Sequence, residues 1–470
     1  MTTLARTLGK SLGAMVLGLI TCTYILGQGG RAPTDPGVRG GAAGAGGPLP
    51  GLTADETAFF TDGQARFAEV EVVAKGSNNG LGPRFNSNQC FSCHSQPGAG
   101  GSSPAKNPLP EVAGLDGAKN TVPWFITANG PVREARFKKS NGVPDGSVHA
   151  LFVITGRSDA PGCNIAQFDF LPAGDPITGR GNPNIIFRIP TPVFGAGLIE
   201  SIPDSAILAN MQANALEKAS LGIHGHANAH LSGNVNRSAN DGTITRFGWK
   251  AQNKSLLMFA GEAYNVEMGI SNQLFPQERD ETAGCLFIPT PNDTLNFTVT
   301  PATTGTIPAV ISDIEGFANF MRMLAPPAPA PSTPSSERGR ARFTSIGCAH
   351  CHTPSLTTGT MIASGSSTTP SAALSNQTVN LFSDLLVHHM GKGLEDGITQ
   401  GAAGPDEFRT APLWGVGQRV FFLHDGRTSN LVEAIRAHRS HGSEANRVIE
   451  HFDKLSVQEQ QEIIDFLRSL

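Results

Sequence analysis

The 470-residue chain is short of charge: Asp, Glu, Lys and Arg make up only 16% of it, and 39 acids against 35 bases leave a net charge of −4. A balance this close to neutral excludes the broad basic footprint of nucleic-acid binding, so no nucleic-acid partner is expected. Long apolar runs are equally scarce. The clearest, Leu12–Leu26, follows Arg6 and Lys10, and its length of about fifteen residues is small for a spanning helix. A basic start before such a run is the pattern of an export signal over residues 1–27, cleaved or kept as an anchor. Membrane attachment is expected through this N-terminus only. Leu19-Ile20-Thr21-Cys22 departs from a lipoprotein cleavage site at Thr21, where a small residue is usual. Cysteine is sparse too, with seven in all.

Glycine (55) and proline (33) are plentiful, which points to a loop-rich chain wrapped around something, and 39% hydrophobic content is enough for a sizeable core. What it wraps is written in Asn88-Gln89-Cys90-Phe91-Ser92-Cys93-His94. Two thiols three residues apart reach the two vinyl groups of one porphyrin, and the next residue presents its imidazole to the iron. The motif recurs as Cys348-Ala349-His350-Cys351-His352. Cys90, Cys93 and His94, then Cys348, Cys351 and His352, are therefore expected to carry two covalently bound haem c groups, with His94 and His352 as proximal ligands. Covalent haem attachment takes place outside the bacterial inner membrane, so the motifs agree with export and a periplasmic location. Cys22 lies in the signal, and the remaining Cys163 and Cys285 are expected to pair as a disulfide in that oxidising compartment.

Along the chain, 28–52 is a Gly/Pro-rich tether expected to be flexible. Thr53-Ala54-Asp55-Glu56 is a capping box that opens a helix. Short strands are expected at Val148–Thr155, Ile185–Ile189, Thr243–Phe247 and Asn296–Thr300, and helices at Pro203–Leu216 and Lys254–Met268. Ser312…Glu315 caps a further helix, and the proline run that follows makes 325–336 a linker. Helices at Glu337–Thr344, Leu431–His438 and Val457–Leu470 complete the chain. The fold class is mainly α with long loops and a few short strands. Two stretches repeat in order. Gly63-Gln64-Ala65-Arg66-Phe67 matches Gly339-Arg340-Ala341-Arg342-Phe343, each before a haem motif. Pro192-Val193-Phe194-Gly195-Ala196-Gly197 matches Pro412-Leu413-Trp414-Gly415-Val416-Gly417. The repeats divide the chain into two cytochrome c-like modules, 53–324 with a large insertion and 337–470.

These motifs, together with Leu81-Gly82-Pro83-Arg84-Phe85-Asn86, Arg246-Phe247-Gly248-Trp249-Lys250-Ala251-Gln252, Arg409-Thr410-Ala411-Pro412-Leu413-Trp414-Gly415 and Leu423-His424-Asp425-Gly426-Arg427, resemble the bacterial di-haem c-type oxidoreductases. That group is related to the di-haem cytochrome c peroxidases and includes chains described as thiol oxidoreductases. The haems consume both Cys-x-x-Cys pairs here, so thiol chemistry at cysteine has no support. The resemblance implies peroxidase-like activity with a small-molecule oxidant and a periplasmic donor such as a small cytochrome or cupredoxin. It also places a distal iron ligand at His438, with His441 and Met390 as substitutes.

Arg409 and Arg427 are natural partners for haem propionates, and His424 is a structural or propionate contact. The N-terminal haem has no evident sixth ligand. His149, Met268, His224, His226 and His230 are the donors within reach of the sequence, while Glu200, Gln252 and Glu267 are the candidate distal acid–base groups. Trp249 and Trp124 are candidates to bridge the haems. Two other readings stay open: a pure electron-transfer cytochrome, and a di-haem oxygenase or substrate oxidase.

Overall fold

The computed structural model describes residues 32–76, 78–170, 184–229, 244–293, 311–360 and 370–470. Two pairs of crossing helices frame it. Ala54–Phe67 lies against Asp313–Met323, and Pro334–Ser345 lies against Val457–Ser469. The repeated Gly-x-Ala-Arg-Phe stretch makes both crossings. A Cβ on Gly63 would collide with the carbonyl of Gly316, and one on Gly339 with the carbonyl of Glu462, so glycine alone lets the backbones meet. The arginines pair across the same contacts: Arg66 with Asp313 at 2.5 Å, Arg342 with Glu459 at 2.7 Å and Glu462 at 2.6 Å. The phenylalanines complete the match. Phe67 packs on Phe320 at 4.9 Å and Phe343 on Phe466 at 5.4 Å.

The second repeat is also structural. Gly195 N donates to the Leu324 carbonyl at 3.1 Å, and Gly417 N donates to the Leu470 carbonyl at 3.2 Å, so each ties down the end of a framing helix. One large apolar core includes Phe60, Phe67, Phe152, Tyr264 and Phe320, and a separate one gathers Phe343, Phe382, Phe452 and Phe466.

Between the framing helices, the strands are short. Glu134–Phe137 is the middle strand of an antiparallel three-stranded sheet, flanked by Val148–His149 and Ile185–Arg188. Phe152–Val153 pairs elsewhere, so the expected Val148–Thr155 strand is two short ones. Ile244–Thr245 is the described part of the third expected strand, and Asn296–Thr300 lies outside the described residues. Pro203–Leu216 divides into Asp204–Gln212 and Ala215–Leu221, because Asn214 adopts φ 55° between them. Leu256–Met268 is one helix, capped by Ser255.

Local signals decided several helix starts. Thr53/Glu56 and Ser456/Glu459 form the expected capping boxes, and Asn430 accepts from Val432 and Glu433. Ser312 does not cap its helix. The carboxylate of Asp293 takes the N–H groups of Asp313 and Ile314 instead, at 2.8 and 3.0 Å.

Pro33–Leu470 gathers into one compact unit. The part of the tether that is described is not loose. Asp35 forks onto Arg468 at 2.7 Å, Arg39 N bonds the Gly417 carbonyl, and Leu49 is buried. Composition misled here, since the backbone and one ion pair hold the segment where side-chain burial could not. The proline run is held as well: Ala328 N bonds the Gly44 carbonyl and Ala330 N the Ser469 carbonyl. Cys163 and Cys285 are joined by a disulfide. Among the described residues, no helix is long and apolar enough to cross a membrane.

Candidate functional site

Each Cys-x-x-Cys-His motif faces a large cavity. The first has a volume of about 170 Å³ and the second about 210 Å³, both partly open to solvent.

Cys90, Cys93 and His94 line the first cavity, and the one-turn helix Cys90–Cys93 sets both thiols toward it. Burial pushes the Cys93 thiol up to about 11 and Cys90 well above its ordinary value, so neither is a reactive thiolate. The imidazole of His94 has Nδ1 2.9 Å from the Gly101 carbonyl, and burial lowers its pKa to about 4. Such a ring carries its proton on Nδ1 and leaves Nε2 as a neutral donor for a metal. Phe67 braces it edge-on at 6.0 Å.

A polar part of the lining comes from two elements. Alternation along the strand puts Glu134 and Arg136 on one face, with Arg188 opposite Glu134 in register. Helical spacing puts Ala260, Tyr264 and Glu267 on one face of Leu256–Met268. Burial, then the charge of Glu134, raises the Glu267 carboxyl to about 8, while Asn86 donates to it at 2.7 Å. Glu134 is held below the ordinary range: burial opposes this, but Arg136 at 2.6 Å and Arg188 prevail. One carboxyl of the pair is thus protonated at neutral pH and the other is ionised.

Cys348, Cys351 and His352 line the second cavity, where burial raises the Cys348 thiol to about 12. The His352 Nδ1 lies 3.0 Å from the Phe382 carbonyl, and Phe343 braces the ring at 6.1 Å. His438 caps the C-terminus of Leu431–Ala437, lines the same cavity and has Nδ1 2.8 Å from the Ala434 carbonyl. Burial lowers both rings, His352 to about 4. Two neutral imidazoles with their Nδ1 atoms pinned therefore share this cavity. Met390 also lines it, and His441 does not. His424 stacks on Phe408 at 4.3 Å.

Two buried arginines test whether the cavity suits a haem. Among the described residues, Arg419 has Nε and Nη2 buried without a hydrogen-bond partner, and Arg409 spends its guanidinium on backbone carbonyls. Burial lowers both to about 10. A buried cation without a paired anion costs several kcal/mol, by order of magnitude. Porphyrin propionates are anions of the kind that guanidinium binds bidentately, so the residues present fit that group.

Other expected site residues fall elsewhere. Gln252, Glu267 and Met268 line the first cavity, but Glu200 does not: it pairs with Arg322 at 2.8 Å and accepts the Leu256 N–H at 2.8 Å, holding a helix start. Arg427 lines neither cavity and pairs with Asp425 at 2.8 Å. His149 is bound to Asp145 at 2.6 Å, outside both cavities, as are His224 and His226. His230 lies outside the described residues. Trp249 lines both cavities with its indole N–H on the Ile189 carbonyl, whereas Trp124 is 42% exposed and lines neither.

Reading the sequence missed Arg419, the one charge in the apolar stretch Trp414–Leu423, and the alternating Arg133-Glu134-Ala135-Arg136. It also missed the role of His388, clamped between Asp384 at 2.9 Å and Glu444 at 2.8 Å on the wall of the second cavity.

Residues 182–470, more than half of the chain, match the family described as "Di-haem oxidoreductase, putative peroxidase". No curated protein matches the chain. Similar solved structures include hydrazine synthase from Kuenenia stuttgartiensis, at 20% identity over 34% of this chain and 55% of that one, with a TM-score of 0.22. A MauG-like protein associated with microbial copper homeostasis is 18% identical over 34% and 52%, TM-score 0.22. The diheme peroxidase BthA from Burkholderia thailandensis is 17% identical over 34% and 50%, TM-score 0.23. The chain spans about half the length of these structures. On the family match over residues 182–470, the chain belongs to the di-haem oxidoreductases.

Proposed function

We propose that the chain is an exported, periplasmic c-type di-haem peroxidase built of two cytochrome c-like modules, 53–324 with its insertion and 337–470. Cys90 and Cys93 hold one haem covalently with His94 as proximal ligand, and Cys348 and Cys351 hold the other with His352. When bound, the haems supply the electron storage and the iron site that peroxide reduction needs. His438, which lines the same cavity as His352, would help hold the second iron, and Arg409 and Arg419 would take that haem's propionates. A small cytochrome or cupredoxin would be the electron donor, and Trp249, which lines both cavities, would stand between the two haems.

The observation that carries the reading is the inequality of the two cavities. The second holds two pinned, neutral imidazoles. Among the described residues, the first is lined by one imidazole and by a carboxyl that keeps its proton at pH 7. Reducing a peroxide to two waters takes two electrons and two protons. Glu267 gives a proton to the departing oxygen, and the Gln252 amide orients the substrate in the same cavity.

Two measurements test the proposal. Acid–acetone extraction should leave both haems on the polypeptide, with Cys90→Ala and Cys351→Ala each weakening one attachment. Glu267→Gln should lower kcat/KM for hydrogen peroxide by about 10²- to 10⁴-fold at unchanged haem content. Haem lost to the solvent, or an unchanged rate, contradicts it.

A further inference from the structure

Tyr264, which lines the first cavity, brings two acids together at its hydroxyl. Oη lies 3.2 Å from Glu71 Oε1 and 3.2 Å from Asp313 Oδ2. A phenol has one proton to donate, so it cannot satisfy two carboxylates at once. Both contacts become full hydrogen bonds when one carboxyl carries a proton and donates it to the phenol oxygen. Burial and the charge of Asp313 identify Glu71, which is 3% exposed and raised to about 8. The hydrogen bonds then run in one direction, from Glu71 to Tyr264 to Asp313. Asp313 is 29% exposed and bound through its other oxygen to Arg66 at 2.5 Å, so the outer end of the line reaches solvent.

The groups facing this line are known from every side. Glu69 and Asp293 add negative charge, Arg66 with its partner Asp62 adds a compensated positive charge, and Cys90 lies on the cavity side. The charge of Glu71 is felt at Cys90, the thiol expected to carry the haem.

We infer that Glu71, Tyr264 and Asp313 form a proton-holding line that couples electron arrival in the first cavity to proton uptake from solvent. The inference rests on haem attachment at Cys90, Cys93 and His94. An electron reaching the cavity makes the surroundings of Glu71 more negative. Where Glu71 is ionised, near pH 8 and above, its carboxylate then takes one proton from water, relayed through Asp313 and the Tyr264 hydroxyl, and no substrate bond changes. Loss of the electron releases that proton by the same path. The line is separate from Glu267, which sits on another part of the wall and faces Glu134.

The test is the midpoint potential of the N-terminal haem against pH, measured by spectroelectrochemistry on the full haem-loaded chain. Wild type should show a potential that falls as pH rises through the region near 8, approaching 59 mV for each tenfold change in proton activity. Glu71→Gln, an isosteric and neutral change, should flatten that segment. Asp313→Asn should displace it to lower pH, because the negative charge that raises Glu71 is gone. Haem content and peroxide response on the same samples keep the two proposals apart. A peroxide-reactive wild type with a flat profile, or an undiminished slope in Glu71→Gln, overturns this inference and leaves the peroxidase reading standing.

Discussion

At the scale of single residues, burial separates what the sequence could rank from what it could not. Cys90, Cys93, His94 and their counterparts were legible because the chemistry itself fixes their spacing. Arg427 and Glu200 were chosen as well-placed charges, and each turned out to have a partner of its own, Asp425 and Arg322. Arg419 was overlooked because its distinction, a buried guanidinium lacking an anion, exists only in three dimensions. Arg419→Leu should lower the midpoint potential of the C-terminal haem by about 60 mV, since removing a positive charge worth about 1.4 kcal/mol favours the oxidised state. An unchanged potential would take Arg419 away from that haem. Glu200→Gln should cost stability of about 1 kcal/mol through the lost ion pair and weakened helix start. Peroxide turnover should be untouched, in contrast to Glu267→Gln.

Elements obey local signals where the cap is local and tertiary partners where it is not. Thr53/Glu56 and Ser456/Glu459 lie within one turn of sequence, and both were readable. The cap on Asp313–Met323 comes from Asp293, about twenty residues back, and no window of the sequence contains that fact. The repeated glycines are the opposite case, because the repeat itself announced a shared constraint. Gly63→Ala and Gly339→Ala should each destabilise the protein by about 1–3 kcal/mol, as overpacking does, because each methyl would enter a partner helix backbone. Gly114→Ala, which meets nothing within 4 Å, is the control. Thermal melts that rank all three alike would remove the crossing argument.

Over the whole molecule, the buried acids set a pH dependence. Glu71 and Glu267 ionise near 8 in the folded chain against 4.5 ordinarily. Between those values the folded state keeps protons that the unfolded state has released, so these two groups make stability fall as pH rises, by at most about 1.4 kcal/mol per unit each. The contribution is complete below about 4.5 and lost above about 8. Glu71→Gln should flatten the decline in urea melts taken across that window, and an unchanged slope would count against a protonated Glu71.

Unequal cavities are the centre of the account, and the spin state of the two irons tests them directly. Electron paramagnetic resonance of the oxidised protein should give one low-spin haem, closed by His352 and His438, and one high-spin haem on His94 that alone changes when hydrogen peroxide is added. His438→Ala should turn the low-spin signal high-spin and leave the peroxide-sensitive one in place. Two low-spin irons indifferent to peroxide, in both redox states, would contradict the account and leave an electron-transfer cytochrome.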